Sequence, residues 1–152
     1  MVACGLEAET PNQPSRSSGG LVEKLTIDEL AVRADSILIG EVTDSTCYQE
    51  GEGNIYTQVT LSVEQTIKGE TEEEVVIRVA GGEVDGQTLW VEDVPSFQLG
   101  ERVVVFLEED DGGFGVVGGF QGKFTIDKSN IVSGNMSLTE FIDQIKDILA
   151  KQ

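Results

Sequence analysis

The chain has 152 residues with 28 acidic and 10 basic side chains, no histidine and two cysteines, so its formal net charge at pH 7 is −18. A surface this acidic repels nucleic-acid phosphates and anionic lipid headgroups, because binding either of them requires clustered Lys and Arg. Two cysteines exclude a disulfide-dense scaffold, and the lack of histidine removes the commonest metal ligand and general base. The acidity serves either solubility alone or contact with cations or a basic partner.

The beginning of the chain differs in composition from the rest, and residues 1–20 are predicted to form a disordered linker. Residues 5–20 are rich in Pro, Ser and Gly and have no apolar periodicity, so they bury too little to offset the entropy of ordering. A flexible linker of this length reaches roughly 20–25 Å. Residues 21–152 suit one folded domain with a single sizeable hydrophobic core.

The opening sequence Met-Val-Ala-Cys-Gly resembles the end of a bacterial lipobox, in which small residues precede a cysteine that is lipidated. The resemblance implies that Cys4 carries lipid and tethers the domain to the extracytoplasmic side of a membrane. It also requires a leader upstream of Met1, since a signal peptide has a basic region and an apolar region that these residues lack. The alternative is a cytoplasmic protein with a short disordered start.

The folded domain is predicted to begin with a short helix followed by a strand. Thr26 and Glu29 form a capping box, which predicts a helix from about 27 to 34. The apolar run that follows predicts a strand over residues 36–42. Gly40 in the middle of this strand indicates a bulge or a tight bend.

A series of short strands is predicted in the middle of the chain. Residues 59–64 alternate strictly between apolar and polar side chains, which is typical of a strand with one buried face. The continuous apolar run at 102–107 favours a strand that is covered on both faces. Further strands are predicted at 74–79, 88–91, 114–118 and 122–127, with a glycine loop at 81–86.

The end of the chain predicts an amphipathic helix. Ser137 and Glu140 form a second capping box. Beyond it six apolar side chains share one helix face, and we expect the helix to dock on the strands because it would be unstable alone. These side chains are Leu138, Phe141, Ile142, Ile145, Ile148 and Leu149.

Three segments together resemble the netrin/TIMP-like domains, a pattern shared by a group of uncharacterised secreted prokaryotic proteins. They are ADSILIGEV at 34–42, Tyr56-Thr57 with the alternation that runs to Lys68-Gly69, and FQLGERVVVFL at 97–107. The resemblance implies a mainly β (α+β) fold, a small antiparallel OB-like barrel of about six strands with a terminal helix. The chain departs from the family because Cys47 has no second cysteine within 21–152, so the fold is implied but the inhibitor function is not.

Enzymatic chemistry finds little support in the sequence. Without histidine, no Ser or Cys can be assigned a base. The Gly-x-Gly-x-x-Gly pattern at 113–118 is followed by a strand-like run, whereas a dinucleotide fingerprint must open a helix. We therefore expect no enzyme and no organic cofactor, and a small hydrolase that uses paired carboxylates is the remaining enzymatic alternative.

Two candidate sites stand out. The acidic cluster Glu108, Glu109, Asp110 and Asp111 offers oxygen ligands that calcium prefers, with a solvated turn as the alternative. A recognition surface is predicted around Trp90, because tryptophan is enriched at binding hot spots. Its alternative is a buried tryptophan that plugs the barrel end. The predicted surface consists of Gly81, Gly82, Gly86, Trp90, Pro95 and Phe97.

These features predict a non-catalytic extracytoplasmic binding module tethered through Cys4. Its expected partner is a protein or a cell-surface component. Nucleic acid is not expected, since an OB-type nucleic-acid site needs a basic groove. Membrane contact is expected only through the lipid, because no apolar run reaches 18 residues. The leading alternative function is that of a calcium-stabilised structural domain.

Overall fold

The structure is a computed structural model that describes residues 24–51, 53–110, 113–133 and 136–151. The predicted linker and Cys4 therefore lie outside the described residues. The described part is mainly β, with one short helix at its beginning and one longer helix at its end. The helices are α1 (Ile27–Arg33) and α2 (Leu138–Ala150), and a 3₁₀ turn spans Gly119–Gly122. The strands are β1 (Ser36–Gln49), β2 (Ile55–Lys68), β3 (Glu74–Ala80), β4 (Gly82–Val84), β5 (Gln87–Leu89), β6 (Arg102–Asp110), β7 (Gly113–Val116), β8 (Lys123–Ile126), β9 (Ile131–Val132) and β10 (Met136–Ser137).

Eight of these strands form one large mixed sheet, in the order β1-β2-β3-β7-β6-β8-β9-β10. β1 also pairs with β6, and β4 and β5 form a separate two-stranded sheet. The strand pairs are antiparallel except β3 and β7, which are parallel and share the single register pair Ile77 and Phe114. The expectation of about six antiparallel strands is thus replaced, in the described part, by ten strands and one parallel pairing.

The helix α1 forms where the capping box predicts it. The Thr26 hydroxyl accepts a hydrogen bond from the Glu29 amide, and the Glu29 carboxylate accepts one from the Thr26 amide. Both donors would otherwise have no partner at a helix N-terminus. The helix ends at Arg33 because Ala34 has an extended backbone. Leu30 and Ala31 are buried against the sheet and α2.

The bulge predicted at Gly40 is present in β1. The register between β1 and β2 shifts between Ile39 and Gly40. A Cβ atom at this position would lie 2.8 Å from the carbonyl oxygen of Ser62 on β2. Only glycine therefore allows β2 to approach this closely.

The strand β6 separates two hydrophobic clusters, as its continuous apolar run predicts. Its residues 103–107 are completely buried. Val104 and Phe106 pack in the cluster that contains α1 and α2. Val103, Val105 and Leu107 point the opposite way, into a second cluster formed mainly by β1, β2 and β3.

The helix α2 docks on the first cluster, which confirms the expected docking. Phe141, Ile145 and Ile148 are buried, while the other apolar side chains of the predicted face are partly buried against the same cluster. The ring of Phe141 lies 5.0 Å from that of Phe124 and 6.5 Å from that of Phe106, centroid to centroid. Among the described residues, neither helix has the length and apolar character that crossing a bilayer would need.

Candidate binding pocket beside Trp90

Two buried glycines carry the chain from β3 across the β1–β2 hairpin. Gly81 and Gly82 have φ of +100° and +138°, values that residues with a side chain rarely adopt. The Gly81 amide donates to the Ile55 carbonyl at 2.7 Å, and the Thr57 hydroxyl donates to the Gly81 carbonyl at 2.8 Å. A Cβ at Gly82 would lie 2.6 Å from the Cys47 sulfur. The predicted glycine loop is therefore a fixed crossing at this point.

The rest of the predicted glycine loop is a β-hairpin. Asp85 and Gly86 connect β4 to β5 and have φ of +50° and +81°. Positive φ at both central residues is what a type I′ turn requires, and Asp-Gly is a preferred sequence for it. This dipeptide was the signal that could have identified the hairpin from the sequence. The hairpin returns the chain to Leu89 and Trp90.

The segment that follows, 90–97, is anchored at its middle and at its end. The Asp93 carbonyl accepts a hydrogen bond from the Phe120 amide at 3.1 Å. Pro95 is buried, and Phe97 packs into the second cluster with 7% of its surface exposed. Lys123 places its ammonium 5.0 Å from the centroid of the Phe97 ring.

A pocket of about 220 Å³ lies between this segment and the ends of β1, β2 and β3. Val59, Val79 and Phe97, which belong to the second hydrophobic cluster, line it. Trp90 also lines it and is 47% exposed, so the tryptophan is not the buried plug of the alternative. Five of the six residues of the predicted surface line the pocket, namely Gly81, Gly82, Trp90, Pro95 and Phe97. Gly86 is in the hairpin turn and is not a lining residue.

Besides the Trp90 indole, the polar side chains among the described lining residues are three with a hydroxyl and one with a carboxylate. The hydroxyls belong to Ser45, Thr57 and Ser96, and the carboxylate belongs to the exposed Asp93. No basic side chain is among the lining residues of the described chain. Lys123 binds Glu101 at 2.9 Å and donates to the Ser96 carbonyl at 2.5 Å. The sequence-based prediction did not include Asp93 and Ser96, which lie in the same segment as Trp90. It also did not include Ser45 and Thr57, because these two come from the distant strands β1 and β2.

Of the predicted acidic cluster, the structure describes the side chains of Glu108 and Glu109. Glu108 and Glu109 are consecutive residues of β6, paired with Gly115 and Phe114 of β7. Consecutive side chains of a strand point to opposite faces, so these two carboxylates do not converge. Asp111 and the side chain of Asp110 lie outside the described residues. Within the described ranges, no three His, Cys, Asp or Glu side chains are grouped to hold a metal ion.

The described cysteine lies next to the pocket. Cys47 is disulfide-bonded, although residues 21–152 contain no second cysteine to predict it. Its sulfur lies 3.5 Å from the hydroxyl of Thr57, a pocket residue. The chain's other cysteine, Cys4, lies outside the described residues.

A cluster of aromatic rings and one arginine on β1, β2 and β3 was also missed. The Arg78 guanidinium lies 3.9 Å from the centroid of the Tyr56 ring and 3.0 Å from the Glu50 carboxylate. The Tyr56 ring contacts that of Tyr48, with centroids 5.8 Å apart. Burial opposes the charge of Arg78, but Tyr48, Tyr56 and Glu50 outweigh it and raise the pKa of the guanidinium. The arginine is thus engaged within the fold.

Comparison with known proteins does not assign the chain to a family. No protein-family model matches the chain, and no curated protein shows significant sequence similarity to it.

Proposed function

We propose that this protein is a non-catalytic binding module whose ligand enters the pocket beside Trp90. The observation that carries the proposal is a half-exposed tryptophan next to a pocket lined by Val59, Val79 and Phe97. Apolar pockets with a few polar groups are the usual form of a ligand site, and tryptophan supplies much of the binding energy where proteins meet. The anchored glycine crossing and the buried Phe97 hold the pocket open before a ligand arrives.

The chemistry of the lining supports binding rather than catalysis. Asp93 is the one ionisable side chain among the lining residues that the structure describes. Acid–base catalysis and nucleophilic catalysis both need a second group within hydrogen-bond reach to accept or supply a proton. The Thr57 hydroxyl donates a hydrogen bond to the Gly81 carbonyl and is therefore held by the fold.

For the architecture we propose an OB-type barrel of the kind that the netrin/TIMP-like resemblance implies. The pairings run from β1 through β2, β3, β7 and β6 and return to β1. A sheet whose strand pairings return to the first strand has no edge, as closure into a barrel requires. The link between β3 and β7 is the weakest, with one register pair. The strands β8, β9 and β10 continue the sheet from β6, and β4 and β5 pair with each other in a separate sheet.

We further propose that the module works outside the cytoplasm, and that molecules in which Cys4 is not engaged by the disulfide of Cys47 are tethered to a membrane through lipid on Cys4. The acidic surface opposes direct adsorption to anionic headgroups. A sulfur atom of Cys4 that carries lipid is not available for a disulfide, so the two modifications are alternatives. Stable disulfides, such as that of Cys47, also belong to oxidising compartments. Either fate of Cys4 is thus compatible with an extracytoplasmic location.

The mass of the N-terminal peptide, measured without reduction on protein from the native source, tests the tether. A peptide carrying acyl mass on Cys4 supports it. An unmodified thiol, or a disulfide peptide that joins Cys4 to Cys47, contradicts lipidation. An unmodified thiol at both cysteines contradicts the extracytoplasmic location as well.

Amide and indole NMR shifts of the full chain test the binding function. Small cationic, neutral and anionic amphiphiles serve as probes. We expect at least one class to shift the Trp90 indole together with pocket amides, and Trp90→Ala to abolish the response. The control is Leu99→Ala, since Leu99 is 59% exposed and does not line the pocket. Absence of any pocket response at millimolar probe concentrations refutes the proposed function.

A further inference from the structure

We infer that the pocket beside Trp90 accepts one cationic side chain, Lys or Arg, from a basic segment of a protein partner. The apolar stem would occupy the cavity, and the charged head would lie among the exposed groups of Trp90 and Asp93. The inference rests on the proposed binding function and adds the chemical class of the ligand.

The size of the pocket limits what it can hold. Its volume of about 220 Å³ is below the roughly 300–1,000 Å³ of pockets that enclose drug-sized ligands. A single long side chain suits this space, whereas a nucleotide or an organic cofactor does not.

The two kinds of lining surface match the two parts of a basic side chain. Lys and Arg bury their aliphatic stems along apolar surface while the charged head stays in water. Val59, Val79 and Phe97 supply the apolar surface. The Trp90 ring favours a cation over its face, and the Asp93 carboxylate accepts charge-assisted hydrogen bonds.

Charge complementarity points to a cation rather than to a neutral or an anionic ligand. Among the residues that the structure describes, the lining holds one carboxylate and no basic side chain. The formal net charge of −18 extends the same sign over the whole molecule, which attracts a basic partner and repels an anionic one. A neutral sugar is the main competitor, because it would stack on Trp90 without needing the carboxylate.

The test measures binding of acetylated, amidated Gly-X-Gly peptides to the full chain, with X as Arg, Lys, norleucine or Glu. An N-acetylglucosamine disaccharide represents sugars. The chain has one tryptophan, so its fluorescence reports directly on Trp90, and amide shifts confirm the location. We expect Arg and Lys peptides to bind about fivefold or more tightly than the norleucine peptide, from the cation–π contact and the ion pair together. The preference should shrink at 0.5 M salt, since salt screens exposed charges.

Two matched variants assign the preference to the pocket. Asp93 and Asp85 are both exposed and both have positive φ, +63° and +50°, which asparagine tolerates. Asp93→Asn should weaken binding of the Arg peptide about twofold to fivefold. Asp85→Asn removes the same charge away from the lining and should leave binding unchanged.

The outcomes separate the ligand class from the binding function. Equal binding of the norleucine peptide, preference for the sugar, or no effect of Asp93→Asn overturns the cationic ligand while the pocket remains a binding site. A complete lack of response to every probe overturns both. Preference for Arg or Lys that is lost in Asp93→Asn and kept in Asp85→Asn supports the inference.

Discussion

Replacing Gly82 with alanine tests whether the glycine crossing holds the pocket together. The backbone at Gly82 has φ of +138°, and a positive φ costs an L-residue roughly 1–2 kcal/mol. The added Cβ would also lie 2.6 Å from the Cys47 sulfur and 2.8 Å from the Thr57 hydroxyl. Relieving such overpacking costs typically about 1–3 kcal/mol. The expected loss in the free energy of unfolding is therefore about 2–5 kcal/mol.

Gly86→Ala is the matched control for this prediction. Gly86 also has a positive φ, +81°, but a Cβ there would meet nothing within 4 Å. Its substitution should cost only the backbone strain, about 1–2 kcal/mol. Gly82→Ala is thus expected to be the more damaging change by about 1–3 kcal/mol.

Urea unfolding followed by circular dichroism measures both losses, with the disulfide of Cys47 kept oxidised in every sample. A domain with roughly 5–15 kcal/mol of stability tolerates the predicted loss in most cases, so both variants should remain folded enough to measure. Equal destabilisation by Gly82→Ala and Gly86→Ala would show that the close approach to Cys47 and Thr57 does not constrain the crossing. The conclusion that the glycine crossing is a fixed wall of the pocket would then be refuted.

Two further predictions concern the core and the acidic cluster. Ile145 of α2 is completely buried, so Ile145→Ala should lower the free energy of unfolding by about 2–5 kcal/mol. The control is Asp143→Ala at an exposed position of the same helix, which should change the free energy of unfolding by less than about 0.5 kcal/mol. Equal effects of the two substitutions would contradict the docking of α2. Calcium should raise the melting temperature by less than about 1 °C, because Glu108 and Glu109 point to opposite faces of the sheet and a ligand stabilises only the state that binds it. A rise in melting temperature that grows with calcium concentration would instead favour the calcium-stabilised domain.

Sequence patterns predicted those parts of the fold in which local chemistry decides the structure. The capping box of Thr26 and Glu29 specifies the start of α1, and the whole signal is contained in four consecutive residues. The apolar run at 102–107 specifies a strand buried on both faces, because no exposed face tolerates five consecutive apolar side chains. The helix α2 combines a cap at Ser137 with a regular apolar face.

The parts that could not be predicted depend on partners distant in the chain. β1 extends to Gln49, although residues 43–49 are mostly polar and partly or fully exposed. They form a strand because β2 pairs with them up to Ile55, and a neighbour's backbone hydrogen bonds do not need an apolar pattern. The pairing of Ile77 with Phe114 spans even more of the chain and leaves no local signal.

The pocket contains both residues that the local sequence identifies and residues that only distant strand pairing brings together. Trp90 was identifiable from residue type, because tryptophan is enriched at binding hot spots. Phe97 was predicted on the same surface, and it lines the pocket from a buried position in the second cluster. Their position relative to Ser45 and Thr57 depends on the crossing at Gly81 and Gly82, which the sequence presents only as a glycine-rich loop. A pair of glycines indicates flexibility or a steric requirement equally well, and the distinction lies in what surrounds them.

The rigidity of the crossing has a consequence for binding. Hydrogen bonds fix Gly81 to Ile55 and Thr57, and a hydrogen bond to Phe120 fixes Asp93. Gly81 and Asp93, which lie on either side of Trp90 in the chain, are thereby held in place, so little backbone entropy would be lost when the proposed ligand binds. A shallow site whose exposed groups are one tryptophan and one carboxylate otherwise binds weakly. In the proposed binding module, preorganisation would raise the affinity of such a small site. Glycine at positions 81 and 82 permits it, because glycine adopts the positive φ of the crossing without strain.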